Sequence, residues 1–463
     1  MSLDQVTNEL IARQTPEAQA IIRLLLAKIA ELDARLNKTP QNSSLPPSTQ
    51  HPHAKPVPAR AKSKKERGGQ PGHPKHERPL LPTDECDEVH TTKPTECRRC
   101  GKKLTGCDAE PLRHQVWELP VIKPHVSEYQ RHRLMCHDCG ETTCAALPPG
   151  VPQGQSGPRL IAFSGLLMAY FRQSKRRTAL FLEALLNQPC CAALAVKMQQ
   201  QVTAALRPAY DELVAQLPEQ TRLGMDESPT KEGPQKAWLW TAVAATFTVF
   251  GVRLSRAATL VEEWLGEAFA GVITCDRAKM YWAHGRLQWC WAHLKRDFQA
   301  LIDSGEGKAK RLGHDLMRPT RELFDLWARY RDGTLTRRGW LRLMQPIRQE
   351  IDALLLRGAF SDNARLQGMC GPLYNHRDRL WTFLEVPGIE PTNNASERAL
   401  RHAVIWRKLS FGTQSAGGSR FVETMLTIIE SCRQQNHSVF DFVTQSVAAQ
   451  FAAKPAPSLL PRV

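Results

Sequence analysis

Three acidic side chains far apart in the chain could bind divalent metal ions together: Asp226, Asp276 and Glu397. Mg²⁺ prefers oxygen ligands, and two such ions roughly 4 Å apart can stabilise both the attacking and the leaving oxygen of an in-line displacement at phosphorus. Three carboxylates are enough to hold a pair of Mg²⁺ or Mn²⁺ ions. The set therefore predicts metal-dependent phosphoryl transfer, provided that the fold brings the three residues together.

The two aspartates each follow a short apolar run that predicts a β-strand. Residues 223–225 precede Asp226 and residues 272–275 precede Asp276, so both carboxylates are expected at strand ends on one side of a sheet. Side chains alternate along a strand, which puts the neighbouring Glu227 on the opposite face and favours Asp226 as the ligand. Taken singly, either aspartate would more commonly be a turn residue or a helix cap.

Glu397 has a competing structural interpretation. Asn394 can cap a helix, and Glu397, three residues later, would then complete a capping box. Basic residues crowd the same segment, which suits a face that attracts phosphate. These candidate DNA-binding residues are Arg398, Arg401, Arg407 and Lys408. A carboxylate in such company fits a metal-bound phosphate site, and we favour that interpretation over the cap.

Two cysteine pairs predict one structural Zn²⁺ site. Cys97-Arg-Arg-Cys100 and Cys136-His-Asp-Cys139 are each followed by a glycine, which tolerates the left-handed backbone of a zinc knuckle. Four thiolates close the coordination shell, so the ion would be structural; the alternative is four unrelated buried cysteines. The neighbouring basic residues favour a nucleic-acid face here as well, namely Arg98, Arg99, Lys102 and Lys103.

The totals point to a polyanionic partner and away from a membrane. Lys and Arg number 62 against 46 Asp and Glu, a net charge of +16, which favours binding to nucleic acid. The sequence has no stretch of about 18 uncharged apolar residues and no signal-peptide pattern at its start. The 13 cysteines are an odd number, which favours reduced thiols or metal ligands over disulfides. We therefore expect a cytoplasmic protein.

Changes in composition divide the chain into six segments of a multidomain α/β protein. Apolar residues in steps of three and four, from Ile22 to Leu36, predict a helix that either packs within the chain or forms a coiled coil. The expected segments are a leucine-rich helix at 1–38, a basic Pro-rich linker at 39–82, a zinc ribbon at 83–150, a helical domain at 151–219, a mixed-sheet domain at 220–435 with a helical insertion at about 291–385, and a C-terminal tail at 436–463.

The chain resembles the transposases of the insertion sequence 66 family over nearly its whole length. The matching motifs include the paired zinc knuckles and several short runs. Those runs are Asn42-Ser-Ser-x-Pro-Pro-Ser48, Gly68-Gly-Gln-Pro-Gly-His73, Asp226-Glu-Ser228, Asp276 with Tyr281, Cys290-Trp-Ala-His-Leu-Lys-Arg-Asp-Phe298 and Asn393-Asn-Ala-Ser-Glu-Arg-Ala-Leu-Arg401. One departure is Ser228, where the family more often has Thr; the hydroxyl is kept.

The resemblance implies a ribonuclease-H-like core in which Asp226, Asp276 and Glu397 form the acid triad. It implies cleavage of DNA at insertion-sequence ends and strand transfer into target DNA, with two Mg²⁺ or Mn²⁺ ions. It also implies a nucleoid-associated homo-oligomer, at least a dimer when two ends are brought together, and accessory proteins from the same element.

Two other functions fit the same residues. A nuclease of this fold could cut without joining, and a DNA-binding regulator could carry an inert core. Cys290 and His293 have the spacing of a metal-binding pair, but the sequence shows no second pair near them. We therefore expect this motif to pack a helix beside the acid triad, with His293 as a candidate contact to DNA or to a metal-bound water.

Overall fold

The computed structural model describes residues 8–36, 38, 42–43, 78–284, 286–304 and 307–460. Most of the expected linker at 39–82 lies outside the described residues, as does the Gly68–His73 motif. The chain divides into two units, residues 52–124 and residues 1–51 with 125–463. No helix among the described residues has both the length and the apolar character needed to cross a membrane.

The smaller unit is described from residue 78 and is held together mainly by side-chain contacts with the backbone. The amide of Gln115 donates to the carbonyl of Leu81 over 2.9 Å, and its oxygen accepts from the N–H of Leu81 over 2.9 Å. The described residues 116–119 form no strand. A strand needs a partner for its N–H and C=O groups, and the only bridge in the described part of this unit joins Glu96 to Lys103.

The chain begins, in its described part, with α1 (Asn8–Ala12) and α2 (Pro16–Leu36). The helix predicted from the leucine pattern is therefore present. Along its seam Leu25 is 56% exposed and Leu32 is 44% exposed. This apolar stripe is open in the single chain, and the coiled coil stays a prediction.

A short hairpin and three helices precede the main sheet. The hairpin pairs β1 (Arg133–Met135) with β2 (Thr142–Cys144) in antiparallel register. The helices that follow pack on one another and bury Leu182, Val202 and Leu206 completely. They are α3 (Pro158–Ala169), α4 (Lys175–Leu186) and α5 (Ala192–Ala215).

The central sheet has five strands and one crossover helix. In chain order they are β3 (Arg222–Glu232), β4 (Gln235–Val243), β5 (Thr248–Arg253), α6 (Thr259–Leu265), β6 (Val272–Cys275) and β7 (Leu287–Trp289). In space the order is β5-β4-β3-β6-β7. The first three strands are antiparallel, and β6 and β7 run parallel to β3, so the expected mixed α/β fold is confirmed.

Between the last strand and residue 451 the described residues form mainly helices. They are α7 (Trp291–Ile302), α8 (Gly307–Arg331), α9 (Arg337–Ala359), α10 (Ala364–Asn375), α11 (Asp378–Glu385), α12 (Asn394–Ser410), α13 (Ala416–Gln434) and α14 (Val439–Phe451). The segment expected as a C-terminal tail, 436–463, contains α14. Ser438 caps α14 by accepting from the N–H of Asp441, and Val443 and Val447 are buried against α3 and α5.

Helices α7 to α11 form a layer fixed to the β7 edge of the sheet. The Thr382 hydroxyl donates to the carbonyl of Leu287 over 2.6 Å, and the N–H of Phe383 donates to the Gln288 side chain over 2.8 Å. The indole of Trp291 packs on Trp381 at 4.9 Å and donates to the carbonyl of Leu380. This layer is therefore joined to the sheet by hydrogen bonds as well as by apolar packing.

Helix α13 covers the other edge of the sheet with side chains spaced four residues apart. The N–H groups of Thr248, Phe250 and Val252 on β5 donate to Ser431, Thr427 and Glu423 over 3.1, 2.9 and 2.9 Å. Helical and strand periodicities match here, because four residues of helix and two of strand advance by similar distances. The outward N–H groups of β5 therefore find partners without another strand.

We expect Thr427→Val to destabilise the protein by about 1–3 kcal/mol, because it leaves the buried N–H of Phe250 without an acceptor. Urea unfolding measures the difference. Thr424→Val is the matched control on the same helix, since the Thr424 hydroxyl is buried and has no hydrogen-bond partner among the described residues. Equal effects of the two substitutions would contradict the role assigned to Thr427.

Candidate functional site

The sheet register places Asp226 and Asp276 level with each other on neighbouring strands. Gly224 pairs with Thr274, so continuing the parallel register by two residues brings Asp226 beside Asp276. The expectation that Asp226 ends its strand is wrong, because β3 continues to Glu232 in antiparallel pairing with β4. Asp276 does follow the last residue of β6. The two carboxylates consequently share one side of the sheet.

Helix α12 carries Glu397 to the same place through a close approach to β3. The Asn393 side chain donates to the carbonyl of Met225 over 2.8 Å, and the N–H of Trp291 donates to the carbonyl of Pro391 over 2.9 Å. A Cβ at Gly224 would lie only 2.5 Å from the Ser396 hydroxyl. The absence of a side chain at Gly224 therefore lets the first turn of α12 lie directly on the strand.

Glu397 is not part of a capping box. The helix begins at Asn394 with Asn393 as its N-cap residue, and Asn393 makes no side-chain cap bond because its amide is bound to β3. Glu397 Oε1 is buried and finds no hydrogen-bond partner in the described part of the chain. An unsatisfied carboxylate oxygen at a buried position is available to a cation.

Burial and mutual repulsion disturb the ionisation of these acids. Burial raises the pKa of Asp226 well above its usual range, and Glu227, Asp276 and Glu397 raise it further. Burial also raises the pKa of Glu397; Arg296 and Arg401 oppose this shift, whereas Asp276 adds to it. Without a cation, Asp226 and Glu397 are held in an environment that disfavours their charged form, and the charge of Asp276 adds to that effect at both residues.

A second group of potential ligands adjoins Glu397. Atoms of Cys290, His293 and Glu397 lie within 4.8 Å of one another, and His293 Nδ1 is 3.7 Å from Glu397 Oε1. Burial lowers the pKa of His293 to about 3, with Arg296 and Arg277 contributing. The imidazole is therefore neutral at physiological pH, and its Nδ1 has no partner among the described residues. The motif therefore places an unpartnered imidazole nitrogen beside Glu397.

Glu227 occupies the opposite face of β3, as side-chain alternation predicts. It is 2% exposed, accepts from the Tyr281 hydroxyl over 2.7 Å and pairs with Arg256. Tyr281 belongs to the short 3-10 helix Lys279–Tyr281 that follows Asp276. The contact from Glu227 to Tyr281 thus fixes the segment that leaves the site, and Glu227 is not a member of the acidic group on the other face.

The predicted basic residues of α12 divide into two groups. Arg398, Arg401 and Lys408 are exposed, whereas Arg407 donates to the Ser228 hydroxyl over 3.0 Å and to the carbonyl of Pro229. Arg407 therefore joins the end of α12 to β3. The sequence analysis missed Arg296, whose guanidinium lies 4.0 Å from Glu397 Oε1. Its position three residues after His293, one helical turn away, was the available signal.

The two cysteine knuckles, at Cys97–Gly101 and Cys136–Gly140, have the same local backbone geometry. The N–H groups of Gly101 and Gly140 donate to the carbonyls of Cys97 and Cys136 over 2.9 Å, with φ of 70° and 76° at the two glycines. Backbone N–H groups lower the pKa of Cys97 and of Cys136. Each knuckle therefore favours thiolate, the form that binds zinc. The basic residues at Arg98, Arg99, Lys102 and Lys103 are exposed.

We expect Gly224→Ala to cost about 1–3 kcal/mol, because the new methyl group must displace Ser396 and the first turn of α12. Ser396→Ala in the same chain should restore most of that loss, since the Ser396 hydroxyl has no partner among the described residues. Thermal unfolding of the four proteins of this cycle measures the coupling. Additive effects would show that the two residues do not compete for space.

Two family models match parts of this chain. The family described as "Transposase IS66 family" matches residues 155–420, and a family of unknown function (DUF6444) matches residues 5–79. Two proteins of Sinorhizobium fredii (strain NBRC 101917 / NGR234) are similar, both named as uncharacterized. Protein y4qI is 26% identical over 292 residues, 55% of this chain and 53% of its own length. Protein y4jO is 28% identical over 156 residues, 33% of this chain and 46% of its own length. The chain thus spans about half the length of the curated relatives that it matches.

Proposed function

Because the chain belongs to the IS66 family of transposases, we propose that it cuts DNA at insertion-sequence ends and joins the freed 3′-hydroxyl to target DNA. The observation that carries this proposal is the grouping of Asp226, Asp276 and Glu397 on one side of the central sheet. Each comes from a different element, and each alters the electrostatic environment of another. The strand order, with three antiparallel strands followed by two parallel ones, supports a ribonuclease-H-like core.

The residues at this site fit divalent metal ions. Carboxylate oxygens are the ligands that Mg²⁺ and Mn²⁺ prefer, and a cation would offset both the raised pKa values and the unpartnered Glu397 Oε1. We propose that Asp226 and Asp276 would hold the ions and that Glu397 would complete the second site. When bound, such ions stabilise the attacking and leaving oxygens at phosphorus.

The protein's own groups would position the substrate. Arg398 and Arg401 are exposed next to Glu397 on α12, and Arg296 approaches Glu397 from α7. Guanidinium groups match the planar geometry of phosphate oxygens, so these three can hold the backbone on either side of the cut. Neutral His293, beside Glu397, can accept a hydrogen bond at its unpartnered Nδ1.

We expect Asp226→Asn to lower cleavage of an insertion-sequence end in Mg²⁺ by a factor on the order of 10³, while binding to the same DNA changes little. The metal-free variant should melt about 2–4 °C higher than the wild type, because the substitution removes a charge that burial disfavours. A gel assay with labelled DNA and a thermal melt in EDTA measure both. Glu390→Gln, at an exposed acid before α12, is the matched control.

The same assay separates this proposal from its alternatives. A wild-type protein that binds the DNA but does not cut it would be a regulator with an inert core. Cutting without joining of a pre-cut end to target DNA would indicate a nuclease. If Asp226→Asn kept its cleavage, the acid triad proposed here would be wrong.

We also propose that Cys97, Cys100, Cys136 and Cys139 supply the thiolates for one structural Zn²⁺. The support is the repeated knuckle with its positive-φ glycine and lowered cysteine pKa. Metal analysis of the purified chain should give about one zinc per chain, and Cys100→Ser or Cys139→Ser should lose most of it. Cys107→Ser and Cys144→Ser, at exposed cysteines outside the knuckles, are the controls. Zinc retained in both knuckle variants would contradict the proposal.

We also propose that the protein acts as a homo-oligomer and that accessory proteins from the same element take part. Synapsis of two DNA ends requires at least two active sites, hence at least a dimer at work. The open apolar seam of α2, with Leu25 and Leu32 exposed, supports a helix pairing between chains.

A further inference from the structure

A cavity of about 340 Å³ lies behind α12, bounded by the end of α3, by β5 and by α13. Its walls include Tyr170, Phe171, Arg172, His402 and Arg433. His402 follows Glu397 by five residues, which turns it about 140° around the helix axis. The cavity therefore opens on a different side of α12 from the acidic group, and the mechanism proposed above makes no use of it.

Two guanidinium groups converge on one imidazole in this cavity. Arg172 lies 3.1 Å from His402 Nδ1, and Arg433 lies 3.1 Å from His402 Nε2. A neutral imidazole has one acceptor nitrogen, so only one of the two arginines can donate to it. Glu430 accepts one N–H of Arg433 over 2.9 Å, which leaves the pair of guanidiniums with an excess of positive charge and of donors. An anionic oxygen ligand would satisfy that excess.

Arg172 is held in a backbone conformation that its side chain disfavours. It follows the end of α3 with φ of 59°, in the left-handed region where glycine is the usual residue. The N–H of Gln173 donates to the carbonyl of Leu167 over 2.8 Å, so the turn closes the helix. In this left-handed conformation an arginine is less favourable for the stability of the fold than a glycine. The arginine, however, places its guanidinium in the cavity.

The surface beside the cavity continues the positive charge. Three basic residues are exposed in the first turn of α4, and that turn contains no acidic residue. They are Lys175, Arg176 and Arg177. Cations are disfavoured at a helix N-terminus by the helix dipole, so this run favours a polyanion that lies outside the protein. Tyr170 and Phe171 add partly exposed aromatic rings, 42% and 55% exposed, next to the arginines.

We propose that this cavity binds one unpaired nucleotide of the DNA substrate, a subsite that rests on the proposed transposase function. The phosphate binds Arg172 and Arg433, and the base packs on Tyr170 and Phe171. The cavity is at the small end of the ~300–1,000 Å³ range of ligand sites, which suits one nucleotide and excludes a duplex. Aromatic rings beside arginines are the means by which proteins hold single strands without reading their sequence.

The test measures binding of a short fluorescent oligothymidylate, and of a duplex of the same length, to the full chain in buffer without added Mg²⁺ or Mn²⁺. Phe171→Ala and Arg172→Gly should each weaken binding of the single strand about tenfold and of the duplex less than twofold. Arg172→Gly should fold at least as stably as the wild type, because glycine suits this backbone. A binding loss in that variant therefore cannot come from misfolding.

Two control variants separate the loss of the Arg172 guanidinium from the change of backbone and from the loss of positive charge in general. Asn187→Gly makes the same backbone change at the end of α4, where φ is 49°, without removing an arginine. Arg342→Ala removes an exposed arginine from α9, away from the cavity. Both should keep the wild-type affinity for oligothymidylate. Unchanged single-strand binding in Arg172→Gly, or an equal loss on duplex, would overturn the proposal.

The result of this binding test does not depend on the proposed cleavage chemistry, because the measurements use no added Mg²⁺ or Mn²⁺. If Asp226→Asn retained cleavage while Arg172→Gly lost its affinity for the single strand, the proposed acid triad would be wrong and the proposed nucleotide site would be supported. If Asp226→Asn abolished cleavage and Arg172→Gly kept its affinity for oligothymidylate, the acid triad would be supported and the nucleotide site would be wrong.

Discussion

The approach of the first turn of α12 to β3 is the contact on which the site depends. Glu397 is separated from Asp276 by 120 residues, most of them in the helices α7 to α11, so local structure cannot fix its position. The missing side chain at Gly224 and the Asn393 bond to the carbonyl of Met225 fix it instead. The helical layer can consequently be large and still leave the acidic group intact, because its two ends meet where Trp291 binds Pro391.

The acidic group is a costly arrangement that the surrounding structure stabilises. Asp226 is buried beside other acids, and both Glu397 Oε1 and His293 Nδ1 lack partners among the described residues. Unsatisfied buried groups of this kind oppose folding and commonly mark functional sites. Apolar burial in the sheet and in the helices packed on it offsets this cost in folding free energy. Three tryptophans are completely buried there, namely Trp240, Trp289 and Trp291.

Much of the architecture could be predicted because it rests on local signals. Apolar runs mark β3 to β6, helical periodicity marks the segment from Trp291 to Glu385, and CxxC followed by glycine predicts both knuckles. The failures involve long-range contacts. Three-residue β7 gains its strand structure from β6, the full length of β3 from β4, and α14 packs on helices more than 200 residues earlier. The capping box failed because Asn393 binds β3 instead of its own helix.

Helix α13 and the α11 end of the helical layer leave neither border of the sheet open. On β5 the outward N–H groups are engaged by Ser431, Thr427 and Glu423, and on β7 the backbone and Gln288 are engaged by Thr382 and Phe383. A sheet sealed at both borders cannot recruit a strand from a neighbouring molecule. Any assembly of several copies of this chain would therefore use helical faces or the amino-terminal third of the chain, and would leave the shape of the sheet unchanged.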